Sequence, residues 1–257
     1  MHSFFTFYIP WSNLSGAYVP EIYEQYTQEY IDLSRDKHSA LSKSFNSDYH
    51  FVNNARYCKN LFSQYSLPMI GHNDIFNLKF LLFDDYFNVY DKLTYIDFDV
   101  IQKGVPTMNE RREFLNVDCA IHYTEPLPNM GIHDKTTRLC ELFNFSPTRE
   151  IWQNNNGVIT ISKQVWEEMD YINTIKKVYD KAGSFAVDIC DETMFNFLTM
   201  YKGIDVNKYE SQFNTLVRRR EEFECHKDDK FRMFHFTKHT GKEVLNEELR
   251  NPRSILY

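Results

Sequence analysis

Leu93-Thr94-Tyr95-Ile96-Asp97-Phe98-Asp99-Val100-Ile101 is the most apolar stretch of the 257-residue chain, and two aspartates interrupt it. A nearly continuous apolar run with β-branched residues suits a strand covered on both faces, as in a parallel α/β sheet. Side chains at i and i+2 of a strand share a face, which would put Asp97 and Asp99 together, roughly 7 Å apart along the chain. Two carboxylates so placed repel each other and are costly to bury unless a cation holds them. Hard oxygen ligands suit Mg2+ or Mn2+, which keep open positions for substrate phosphates. Ligands of open α/β sheets gather at the carboxyl ends of strands, where this pair stands. The plainer reading is a strand that ends in a polar loop, with both aspartates in water.

Outward from this stretch, strands and helices alternate. Ser3 to Ile9 reads as a buried strand, broken by Pro10-Trp11-Ser12-Asn13. Tyr18, Ile22, Tyr26, Tyr30 and Leu33 follow at helical spacing, then a short strand over Asp48 to Val52 and a helix over Asp74 to Phe83. On the other side, Val158 to Ile161 reads as a buried strand and Gln164 to Ala182 as a long helix. Glu192 to Tyr201 reads as a shorter helix and Phe231 to Phe236 as a late strand. Residues 104 to 150, rich in Pro, Asn and His, fit no period. The alternation predicts one α/β layered domain. A shift of composition near residue 104 suggests two halves, 1–103 and 104–242, sharing a sheet, with a C-terminal helix or tail over 243–257.

Composition removes several classes of function. With 42% apolar and 25% charged residues the chain can bury a core, which excludes disorder as its main theme. No run of about 18 apolar residues occurs, and the apolar run Phe4 to Ile9 is too short for a signal peptide, so a cytoplasmic protein without a membrane span is expected. A net charge of −7 does not favour nucleic acid, and Arg218-Arg219-Arg220 runs straight into Glu221-Glu222, as on a solvated helix face. Five cysteines without a C-x-x-C pair disfavour a disulfide framework or zinc ribbon. None of the eight glycines stands two residues from another, which excludes G-x-G-x-x-G, and the P-loop pattern is absent too.

The stretch Tyr95-Ile96-Asp97-Phe98-Asp99-Val100-Ile101 resembles the YLDADVI strand of glycosyltransferase family 8, the glycogenin-like retaining enzymes of the GT-A fold. Further stretches match in order. Phe4 to Ile9 with Leu14-Ser15-Gly16-Ala17 is similar to the family's first strand and nucleotide loop. Lys79 stands roughly where its donor-binding Lys or Arg does, and Asn155-Asn156-Gly157-Val158 resembles its N-x-G turn. Asp191-Glu192-Thr193-Met194-Phe195-Asn196 resembles D-Q-x-x-L-N, with Glu in place of Gln. His235-Phe236 resembles the opening of H-F-x-G-x-x-K-P-W, although position 238 is Lys, the family's Lys position is Gly241, and no P-W follows.

The resemblance implies a metal-dependent, retaining transfer of a hexose from a UDP-sugar to a carbohydrate or other hydroxyl acceptor. Residues 1–103 would then bind the nucleotide sugar and 104–242 the acceptor. Asp97, Asp99 and His235 would hold Mn2+ or Mg2+, the imidazole leaning towards manganese. Thr6, Tyr8, Ile9, Asn13 and Phe98 would hold the nucleotide, and Lys242, in preference to Lys238, its diphosphate. Asn155, Asn156 and Gly157 would meet the sugar, while Lys79, Asp191 and Glu192 would act at the reacting centre, Asp191 steering the sugar. Relatives in that family commonly dimerise, but no heptad or exposed apolar stripe announces it here. Plain readings stand beside these: a core histidine at 235, a helix-capping Asp191, an exposed helix lysine at 79 and an ordinary turn at 155–157. Two other functions share the D-x-D strand or the fold. One is a haloacid-dehalogenase-like phosphatase, with Lys176, Asp188 and Asp191 as its further groups; the other is a degenerate sugar-nucleotide-binding protein.

Overall fold

The computed structural model describes residues 1–10, 26–67, 73–124, 131–251, 254 and 256. The chain opens with β1 (His2–Phe7), α1 (Gln28–Ser44), β2 (Asp48–Val52), α2 (Ala55–Gln64) and α3 (Asn73–Tyr86). The middle holds β3 (Lys92–Ile96), β4 (Val100–Lys103), α4 (Met108–Leu115), β5 (Cys119–Thr124) and α5 (Gly131–Leu142). Next come β6 (Gln153–Ser162), α6 (Lys163–Met169), α7 (Tyr171–Ala182), α8 (Asp191–Tyr201) and β7 (Asn207–Lys208). The last elements are β8 (Thr215–Val217), α9 (Arg220–Glu224), β9 (Arg232–Phe236) and α10 (Lys238–Arg250). Among the described residues no helix is long and apolar enough to cross a membrane.

Six strands form a mixed central sheet in the order β2-β1-β3-β6-β5-β7, and three form a small sheet, β4-β9-β8. Pairing is parallel at β1–β2, β1–β3 and β5–β7, and antiparallel where β6 enters between β3 and β5. Neighbouring residues on four adjacent strands divide between two cores. Phe5, Tyr95, Ile121 and Ile159 face the helices α3 and α6 to α8, while Phe4, Ile96, Ala120 and Val158 face α1, α4 and the small sheet. This is why the strands read as unbroken apolar runs: both faces are covered.

The stretch 93–101 is not one strand. It leaves the central sheet after Ile96 and joins the small sheet at Val100, because Asp97-Phe98-Asp99 forms a turn. The Val100 amide donates to the Asp97 carbonyl at 3.0 Å, and the Asp97 amide reaches the Gly157 carbonyl at 2.7 Å. The apolar signal continued across the break because Phe98, Val100 and Ile101 are buried as well, in different clusters.

Three other expectations need correction. Asn155-Asn156-Gly157 is no turn but part of β6, whose ladder with β5 shifts register opposite Ile121 and His122. The helix expected over 164–182 is two, broken at Asp170, which takes φ 49° and ψ 47° and ends α6. The helix expected from Tyr18 begins at Gln28, where Thr27 accepts a hydrogen bond from the Tyr30 amide, so Tyr26 precedes it; 18–25 lie outside the described residues. The stretch 104–150 contains α4, fixed by a Thr107/Glu110 capping box, together with β5 and α5. Strands from both sides of residue 104 enter both sheets, and α10 runs across position 243.

Candidate active site

The 97–99 turn sits at the carboxyl end of β3, and its backbone is held from behind by α1. The Phe98 carbonyl accepts hydrogen bonds from Tyr30 Oη at 3.0 Å and Ser34 Oγ at 2.8 Å. His38 Nε2 lies 2.5 Å from the Val100 carbonyl oxygen. The Phe98 ring is buried, stacked on Tyr8 at 4.5 Å and met edge-on by Tyr26 and Tyr30. With the hydrophobic residue pinned on one side, both carboxylates turn to the other.

There they meet His235 on β9, which antiparallel pairing places opposite Val100. Nε2 of His235 lies 3.2 Å from Asp99 Oδ1 and 3.6 Å from Asp97 Oδ2. One ligand atom from each of the three residues lies within 4.8 Å of the others. Two carboxylate oxygens and an imidazole nitrogen form a donor set that fits Mn2+, or Mg2+ less well. Burial drives the His235 pKa down to about 4 against the pull of Asp97, so the ring is neutral at physiological pH and fit to act as a ligand.

Cations flank this cluster. Lys79 on α3 is buried, its Nζ 2.9 Å from Asp191 Oδ2, 3.6 Å from Asp97 Oδ1 and 3.3 Å from the Asn156 carbonyl. Burial alone would lower its pKa, but Asp191 and Asp97 raise it above the ordinary lysine value. Burial likewise opposes ionisation of Asp97, yet Lys79 and then His235 hold its carboxyl below the usual carboxylate range. Tyr95 Oη donates to Asp97 Oδ1, and the Lys79 ammonium lies 4.5 Å over the Tyr95 ring. Asp191 is the first residue of α8; Cys190 stands at the cap position, and the Asp191 carboxylate is committed to Lys79. Glu192 follows it, and burial together with Asp191 pushes its carboxyl up to about 8.

Lys242 on α10 reaches the cluster from the opposite side, forming an ion pair with Asp99 and lying 5.1 Å over the Tyr26 ring. Burial drives its pKa down to about 7, opposed by Asp97. Lys238 is exposed and takes φ 59°, a left-handed conformation that suits the glycine of the resembled motif. Gly241 sits so close to β8 that an added Cβ would stand 2.2 Å from the Val217 carbonyl oxygen. No side chain fits there without a backbone shift, and the neighbouring Lys242 supplies the cation.

The remaining expected residues fall into three groups. Asn155 and Gly157 face His235: Nδ1 lies 3.0 Å from Asn155 Oδ1, and a Cβ on Gly157 would meet the ring at 2.3 Å. Asn156, one step along the strand, is buried, and its Oδ1 accepts a 2.9 Å bond from Asn154. Thr6 is buried with its hydroxyl donating to the Ile96 carbonyl, and Ile9 is buried in the core. Tyr8 lines a cleft of about 200 Å3 with Pro10, Gln28, Arg35 and Asn53. Asn13 lies outside the described residues. A larger recess of about 880 Å3 lies beside Ser44 to Asn46 and Asn116 to Val117, the segments leading into β2 and β5. It is therefore at the amino ends of those strands, away from this chemistry.

Two site residues escaped the sequence reading. Tyr95 stands two positions before Asp97 and could have been found from strand alternation. Asn214, fully buried beside His235, could not: only the pairing of β8 with β9 brings it there.

No family model matches the sequence, and no curated protein matches it either. Solved structures do match in fold. A glycosyltransferase involved in glycosylation of the major capsid of PBCV-1 aligns with TM-score 0.55 at 9% identity, over 96% of this chain and 98% of that one. Mouse xyloside xylosyltransferase 1 aligns with TM-score 0.55 at 11% identity, over 93% and 98%. The galactosyltransferase LgtC, in complex with donor and acceptor sugar analogs, aligns with TM-score 0.53 at 11% identity, over 96% and 94%. The α/β fold, a mixed sheet flanked by helices, is that of these GT-A glycosyltransferases.

Proposed function

We propose that the protein is a metal-dependent glycosyltransferase that moves a hexose from a UDP-sugar to a hydroxyl acceptor with retention of configuration. The observation that carries this reading is the convergence of Asp97, Asp99 and His235 at the carboxyl end of β3, beside the buried Lys79–Asp191 pair.

Asp97, Asp99 and His235 would hold Mn2+, which when bound neutralises charge on the diphosphate leaving group. Tyr8 and the cleft beside it would take the base. Lys242, already at the cluster, would turn from Asp99 to the diphosphate and add positive charge there. Lys79 holds the Asp191 carboxylate in place through their 2.9 Å ion pair, so that it would accept hydrogen bonds from sugar hydroxyls near the reactive carbon. Glu192, protonated at neutral pH, offers one donor and one acceptor as glutamine would, which fits Glu at a position where the resembled motif has Gln. In the transfer the sugar C1–O bond to the diphosphate breaks and the diphosphate oxygen keeps the electron pair. The acceptor oxygen bonds C1 on the same face, and its proton passes to the released diphosphate.

The test is a panel of nucleotide sugars assayed for release of nucleoside diphosphate with Mn2+ present. Release from a UDP-sugar, abolished by Asp97→Asn, is expected. Release from no donor, with phosphate esters hydrolysed instead, would overturn the proposal.

A further inference from the structure

The hydrogen bonds around His235 can be assigned one proton at a time, starting from a group that has no choice. The Gly157 backbone N–H can only donate, and it lies 3.0 Å from the Asn155 side chain, so the Asn155 atom facing it is the oxygen. That oxygen can only accept. His235 Nδ1 stands 3.0 Å from it and must therefore carry the proton. Asn214 meets the same oxygen at 2.8 Å and must present its amide Nδ2 there. Its own Oδ1 is then left facing His235 Nδ1, at 3.2 Å.

The consequence falls on the other side of the ring. A neutral imidazole with its proton on Nδ1 bears a lone pair on Nε2, and Nε2 is the atom aimed at Asp97 and Asp99. With that lone pair turned towards the two carboxylates, Nε2 completes an acceptor set of the kind a metal ion takes. Gly157 completes the arrangement by leaving room for the ring.

We infer that Asn155 and Asn214 are positioning residues that hold His235 as its Nδ1–H tautomer and aim Nε2 as a metal ligand, an inference that rests on the metal-site reading above. They act through His235, and their effect is on metal affinity, before any nucleotide or sugar binds. Asn155 is thereby given a role other than sugar contact. Its Nδ2, which makes no hydrogen bond among the described residues, is not needed for it.

The test has two readouts, neither of which is activity. In metal-free protein with 15N-labelled histidine, assigned by His235→Ala, the His235 ring is expected to carry a proton on Nδ1, hydrogen-bonded to Asn155. Binding of Mn2+ alone, followed by the electron paramagnetic resonance of the free ion, is expected to weaken about 10- to 100-fold in Asn155→Ala and in Asn214→Ala. Asn155→Asp keeps an oxygen that accepts from Gly157, His235 and Asn214, so it should retain the tautomer and the Mn2+ affinity. A residue that only filled space would not be rescued in this way, and melting of each metal-free variant separates misfolding from loss of the ligand.

A His235 ring without a proton on Nδ1 in the parent would overturn the inference. So would Mn2+ affinities within twofold of the parent in both alanine variants, with His235→Ala abolishing binding. If the parent bound no Mn2+ at all, the metal reading itself would fall, and the inference with it.

Discussion

The Lys79 ammonium lies 2.9 Å from the Asp191 carboxylate, and both groups are buried, one on α3 and the other at the start of α8. The pair ties together two helices far apart in sequence and also reaches Asp97. Removing one partner of a buried ion pair leaves the other charge uncompensated. Lys79→Met is therefore expected to lose about 3–5 kcal/mol of stability in chemical denaturation. Lys79→Met combined with Asp191→Asn should recover part of that loss. A single-variant loss under about 1 kcal/mol would mean the pair is wetter than its burial suggests.

Lys242 and a metal ion both seek Asp99. In Lys242→Met that competition disappears, so Mn2+ alone should bind about fivefold or more tightly, a charge interaction in a partly wet site being worth on the order of 1 kcal/mol or more. Binding of UDP with Mn2+ should weaken in the same variant, because the diphosphate loses its cation. Calorimetry of the two ligands separately checks the opposed signs; a shift in the same direction for both would contradict the arrangement.

Glu192 predicts a dependence on pH. Its ordinary value of 4.5 rises to about 8 in the folded protein, chiefly by burial. Between these values the folded state holds a proton that the unfolded state releases, so stability falls as pH rises through the window. Glu192→Gln removes this penalty. Its stability relative to the parent should increase from pH 5 to pH 8 and level off above, as read from denaturation midpoints. A difference that does not change with pH would mean Glu192 is ionised in the fold.

Gly157→Ala should push the His235 ring aside. Overpacking of this kind costs about 1–3 kcal/mol, and Mn2+ binding should fall with it. Unchanged metal affinity in a folded Gly157→Ala would show that the ring has room to spare.

The strands were largely legible in the sequence because burial on both faces leaves a mark that needs no partner to interpret. Val158 to Ile161 and the core of β9 were found for this reason. What misled was continuity: Phe98 and Val100 are as apolar as Tyr95 and Ile96, so nothing marked the step from one sheet to the other. At 155–157 the composition of a turn concealed a strand, since the asparagines serve side-chain hydrogen bonds and the glycine serves close approach. Lys79 is invisible as a buried residue from helical spacing alone, because its partner is 112 residues away. Asn214 depends entirely on register between two short strands. The candidate metal ligands could be named from residue type and order, while the groups that hold them in place required the fold.

The most direct measurement is calorimetric binding of UDP to the purified protein, with and without Mn2+, beside Asp99→Asn. Binding that requires Mn2+ in the parent and is lost in a folded Asp99→Asn is the expected result. Absence of UDP binding under any metal, or binding that Asp99→Asn leaves unchanged, would contradict the assignment of this cluster as a metal-dependent nucleotide-sugar site.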